Sequence, residues 1–77
     1  MRVKIFIASQ CSQCDQAKQY LGDKRIAFEE IDLSRWPEQR ETLVQKTGFS
    51  MVPQIQIDNQ FIVGFDPKKI DELLKEG

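Results

Sequence analysis

Val3-Lys4-Ile5-Phe6-Ile7-Ala8-Ser9-Gln10-Cys11-Ser12-Gln13-Cys14 begins as a β-branched run and ends on two cysteines, with Ala17, Tyr20 and Leu21 following. Val3, Ile5 and Ile7 alternate with Lys4, Phe6 and Ala8, which predicts a strand covered on both faces. Ser9-Gln10 breaks it. From Ser12 onward, Cys14, Ala17, Tyr20 and Leu21 recur at helical spacing, and Gly22-Asp23-Lys24 is expected to fray that helix. The cysteine pair therefore falls where a strand hands over to a helix.

Working outward, residues 26–33 read as a second strand, with Phe28, Ile31 and Leu33 contributing to the core. Ser34-Arg35-Trp36-Pro37 reads as a loop entering a helix, since proline is tolerated in a first turn where its missing N–H costs nothing. Trp36 is taken there as a packing residue. Glu38 and Glu41 suit the helix dipole, Leu43, Val44 and Thr47 supply the buried stripe, and Gly48 fits the stop. Ile55 and Ile57 alternate with Gln54 and Gln56, Asp58-Asn59 turns the chain, and Phe61-Ile62-Val63 returns as a hairpin partner. Pro67 opens a last helix whose apolar face is Ile70, Leu73 and Leu74.

The order is βαβαββα. The first βαβ unit should be right-handed with parallel strands, and the hairpin adds an antiparallel pair to the same sheet. The fold expected is α/β and thioredoxin-like: a mixed four-stranded sheet flanked by three helices. With no linker, repeat or low-complexity segment, residues 1–77 read as one domain.

Composition excludes whole classes of function. Eleven Lys+Arg against twelve Asp+Glu give a net charge of −1, so no broad basic face recommends nucleic acid or an anionic membrane as partner. Apolar runs such as Ile5-Phe6-Ile7-Ala8 are too short to span a bilayer, and no signal-like region is read at the start, so a cytoplasmic protein is expected. With no His, imidazole catalysis and His-containing metal sites are absent. With only two Cys, a multi-bridge secreted scaffold is impossible.

What two cysteines can do at a helix start follows from the backbone. First-turn N–H groups are unpaired and the dipole places partial positive charge beside Cys11, so a thiolate is favoured over a thiol. Cys14 lies about one turn further on, close enough to bridge. Cys11 is the expected nucleophile and Cys14 the more buried resolver, in thiol–disulfide exchange that needs no bound cofactor. No Lys or Arg lies between Ile5 and Cys14, and Asp15 follows directly. The helix end should therefore do most of the lowering of the Cys11 pKa, less strongly than with a basic neighbour. Two other readings stay open. The pair could be half of an iron–sulfur or zinc site completed by a homodimer, or an inert structural bridge, although so short a loop stabilises little.

Cys11-Ser12-Gln13-Cys14, Met51-Val52-Pro53-Gln54-Ile55 and Val63-Gly64-Phe65-Asp66-Pro67 together resemble the glutaredoxin family, specifically its small NrdH-type redoxins, over essentially the whole chain. The resemblance implies that Pro53 is cis beside the CxxC pair and that the Val52 backbone meets substrate as an extra strand would. Gln13, Gly64, Phe65 and Asp66 would flank that platform. On the residues alone, Pro53 could equally begin an edge strand in trans, Asp66 could simply cap the last helix, Phe65 could be a surface staple and Gln13 a polar filler. The sequence is a hybrid. Gln13, and Gly64-Phe65 with Pro67 two residues further on, are similar to the NrdH type, while Asp66 is the residue glutathione-using members carry in place of the basic residue usual in NrdH proteins. Ala8 stands where those members have a basic residue, and Met51 where they have Thr. The resemblance thus implies a monomeric, cytoplasmic thiol–disulfide oxidoreductase of cell redox homeostasis. Its substrate would be a protein disulfide such as that of ribonucleotide reductase. Its reductant would be thioredoxin reductase, towards which Gln13 and Ala8 lean, or glutathione as co-substrate.

Overall fold

A computed structural model describes residues 1–76 of the chain. The elements are β1 (Val3–Ile7), α1 (Ser12–Asp23), β2 (Glu29–Asp32), α2 (Glu38–Thr47), β3 (Gln54–Ile57), β4 (Gln60–Val63) and α3 (Pro67–Glu76). The strand order is β2-β1-β3-β4, with β1 parallel to β2 and antiparallel to β3, and β3 antiparallel to β4. This is the thioredoxin-like layout expected.

Successive side chains of a strand point to opposite faces, and β1 buries both. Ile5 packs with Ala17 and Leu21 of α1, Ile55 and Ile57 of β3, Ile62 of β4, and Ile70 and Leu73 of α3. Phe6, on the other face, packs with Leu33 and with Leu43 of α2. Two helices thus cover one face and α2 the other, which is why the β1 segment carries almost no polar residue.

Three sequence expectations change, two of them between α1 and β2 and one within α2. Residues 26–28 do not join β2, whose ladder with β1 begins at Lys4↔Glu29. The Ile26 N–H is instead used to close α1, donating to the Leu21 carbonyl at 3.0 Å, while the Arg25 N–H donates to Gly22 at 2.9 Å. This 6→1 and 5→2 pair is a Schellman closure, with Arg25 in the left-handed region at φ 59. Gly22 therefore stays inside the helix rather than fraying it, and Ile26 packs on the same core as Leu21. In α2, Leu43 is buried but Val44 is 42% exposed, so the buried stripe is narrower than its spacing suggests. Gly48 does end that helix, at φ 81 with its N–H on the Val44 carbonyl at 2.8 Å.

Candidate functional site

Strand directions bring four stretches of chain to one edge of the sheet. The C-terminal ends of β1, β2 and β4 and the N-terminal end of β3 all lie there. That edge receives residues 8–11, 33–36, 51–53 and 64–66, which include every site residue expected from the sequence except Gln13 and Cys14, and those two lie in the adjoining first turn of α1.

Cys11 is the N-cap of α1, half-buried and extended at φ −123 and ψ 100. Its Sγ accepts the Cys14 N–H at 3.1 Å, and its carbonyl accepts the Asp15 N–H at 3.3 Å. A cap side chain normally supplies oxygen to these unpaired first-turn donors; here sulfur does so. Cys14 is 2% exposed, its Cα lies 5.2 Å from that of Cys11, and the two sulfurs are bonded. The next basic residue along α1, Lys18, is held by Glu30 at 3.1 Å and Asp15 at 3.8 Å, so carboxylates already meet its charge. Gln13 is exposed. Among the described residues, no group of three or more Cys, Asp or Glu side chains is placed to hold a metal ion.

Opposite, the Val52-Pro53 peptide bond is cis. Pro53 is buried and Val52 half-buried against the Phe6–Leu43 core. The Pro53 carbonyl accepts the Gly64 N–H at 2.8 Å, tying the two loops together. Gly64 sits at φ 86, a conformation open to glycine and strained for an L side chain. Asp66 does cap α3, its Oδ1 accepting the Lys69 N–H at 3.2 Å. Phe65 is no loose staple: its ring meets Tyr20 of α1 edge to face at 5.7 Å and packs on the larger core. Trp36 departs from its expected packing role and is 52% exposed, as are Phe49 and Met51 to a similar degree.

Tyr20 extends this contact into a small polar network. Its hydroxyl donates to Asp71 Oδ1 at 2.7 Å, and Lys24 Nζ pairs with the same oxygen at 3.1 Å while lying over the Tyr20 ring. The Tyr20 hydrogen bond, then Lys24, hold the Asp71 carboxyl below its ordinary 3.8. The bond to Asp71 raises Tyr20 above 10.0 and Lys24 above 10.5. A depressed carboxyl stabilises the fold above 3.8 and loses that contribution as pH falls through the lower folded value. The two raised groups contribute fully below their ordinary values and lose it as pH rises through the raised ones. Asp71→Asn should therefore flatten the pH dependence of the melting temperature in both windows. Parallel wild-type and variant curves would show that the network carries no linkage.

Sequence reading missed Gln54. Its alternation puts it on the face opposite Ile55, and it is fully buried there beside Phe6, with its amide on the Phe49 and Met51 carbonyls. The only available signal was its place directly after Pro53.

A family model described as Glutaredoxin matches residues 3–62. The chain is 34% identical over 74 residues to a glutaredoxin-like 8.6 kDa protein in a rubredoxin operon of Clostridium pasteurianum, covering 96% of this chain and 99% of that one. It is 37% identical over 75 residues to glutaredoxin 1 of Rickettsia conorii, covering 95% and 72%. The glutaredoxin-like NrdH-redoxin of Escherichia coli superposes with a TM-score of 0.85 at 32% identity, covering 95% of each chain.

Proposed function

Since this chain belongs to the glutaredoxin family, we propose that its thiol–disulfide oxidoreductase activity is carried by Cys11 as nucleophile and Cys14 as resolver. The observation that supports the assignment most is the Cys14 N–H aimed at the Cys11 sulfur, on a half-buried cysteine whose partner is sealed one turn inside. In the reduced protein that N–H and the helix dipole stabilise a Cys11 thiolate. The thiolate attacks one sulfur of a target disulfide, that S–S bond breaks, and the released target thiolate takes up a proton. Cys14, deprotonated, then attacks Cys11 Sγ, and the second target sulfur leaves as a thiol. Two electrons and two protons have passed to the target, and the Cys11–Cys14 bond remains to be reduced by an external thiol or reductase.

Around this pair, Val52 and Pro53 form the docking platform and Gln13, Gly64, Phe65 and Asp66 flank it. Among the described residues the Val52 N–H and C=O have no hydrogen-bond partner, which leaves an open backbone edge for an extended chain. The working unit is a monomeric glutaredoxin-like domain over residues 1–77, without a bound cofactor, in the cytoplasm. No helix among the described residues is long and apolar enough to cross a membrane. The target is a protein disulfide, with ribonucleotide reductase the candidate offered by similarity to NrdH proteins. For the reductant we favour thioredoxin reductase over glutathione, from Gln13, Ala8 and the thioredoxin-like activity profile that the E. coli NrdH-redoxin has. Oxidised protein mixed with NADPH and either thioredoxin reductase, or glutathione plus glutathione reductase, decides this. Faster NADPH consumption with thioredoxin reductase is expected, and turnover with glutathione alone would reverse the assignment.

A further inference from the structure

Gln54, the first residue of β3, is 0% exposed and stands opposite Phe6 on one side and Val63 on the other. A buried primary amide is costly unless its groups are paired. Here the pairing is one-sided. Nε2 donates to the Phe49 carbonyl at 2.9 Å and to the Met51 carbonyl at 3.0 Å, while Oε1 has no partner among the described residues. An apolar side chain of the same length would avoid the orphaned acceptor, so stability alone does not account for glutamine at this position.

What the amide holds is a segment with no regular structure. Residues 49–51 lie between α2 and the cis bond, and each of their carbonyls accepts from a side chain. Gln54 takes the outer two, and Arg40 Nη1 of α2 takes Ser50 at 2.8 Å. Thr47 Oγ1 adds a further tie by accepting the Phe49 N–H at 3.1 Å. The next residue, Val52, is the one whose backbone is left open.

We propose that Gln54 is a positioning residue for substrate docking: its two N–H donors fix residues 49–51 so that the open Val52 backbone stands ready at the Cys11 edge of the sheet. The inference rests on the reading of Val52 as a docking edge. It assigns the amide no part in the exchange chemistry, so its loss should alter the binding of peptide disulfides and leave the reactivity of Cys11 alone.

The test compares a disulfide carried by a peptide chain with bis(2-hydroxyethyl) disulfide, which has no backbone to dock, in wild type and Gln54→Met. KM for the peptide disulfide should rise about ten-fold, as expected for the loss of two hydrogen bonds that order the site. The corresponding kcat, the rate with bis(2-hydroxyethyl) disulfide and alkylation of Cys11 by iodoacetamide should change less than about two-fold. If wild type shows no preference for the peptide disulfide, the Val52 reading fails. If wild type prefers it and a folded Gln54→Met does not change KM, the positioning role fails alone. Should the variant not fold, wild-type protein still decides: hydrogen-bond scalar couplings from Gln54 Nε2 to the Phe49 and Met51 carbonyl carbons are expected, and their absence overturns the clamp.

Discussion

Cys11→Ser is expected to reduce protein disulfides at least about a thousand-fold more slowly than wild type, because a serine hydroxyl at neutral pH is a far weaker nucleophile than a thiolate. The serine still caps α1, since oxygen accepts the Cys14 N–H as well as sulfur does, so the variant should stay folded and the loss can be read as chemistry. Cys14→Ser should behave differently. Its first step survives, the second cannot occur, and the protein should accumulate as a mixed disulfide with its target, seen as a mass adduct on Cys11. Turnover of insulin with dithiothreitol by the two single variants, followed by intact-mass analysis, checks both. An active Cys11→Ser, or adducts formed on Cys14 in that variant, would exchange the two roles.

Ile5→Ala is expected to be the most damaging core change. Ile5 is fully buried at the centre of the sheet, paired to Glu30 on one side and Ile55 on the other, with both covering helices of that face packed on it. Truncation of such a side chain costs about 2–5 kcal/mol. A chain of this size has a total stability of roughly 4–12 kcal/mol at the usual value per residue. The melting temperature should fall by roughly 10–30 °C. Val44→Ala, on an exposed position of α2, should shift stability by less than about 0.5 kcal/mol. Thermal unfolding of the two variants side by side tests the assignment of the faces, and equal losses would contradict it.

The β1 and α1 segments carry patterns strong enough to place the site directly: both faces of β1 are apolar, and the cysteines sit at its junction with the helix. The hairpin and α3 were equally legible, because Asp58-Asn59 and Pro67 mark their limits. What the residues concealed lies where two contacts compete for one backbone group. Ile26 and Phe28 have the composition of a strand, yet the Ile26 N–H closes α1 instead. Gln54 and Gln56 have the same alternation, yet the first is buried with its amide on the Phe49 and Met51 carbonyls while the second is half-exposed. Gln54 shows why the site was less legible than the fold. Its partners are carbonyls in an irregular segment, and main-chain acceptors leave no trace in a sequence.

Everything proposed about the chemistry requires that the Cys11 sulfur, capping α1 and receiving a backbone N–H, ionises readily once the disulfide is opened. The direct measurement is the pH titration of thiolate ultraviolet absorbance in reduced Cys14→Ser, paired with the pH dependence of iodoacetamide alkylation. A midpoint below the free-cysteine value of about 8.5 is predicted, with alkylation following the same curve. A midpoint at or above that value, or a sulfur that iodoacetamide does not reach, would contradict it.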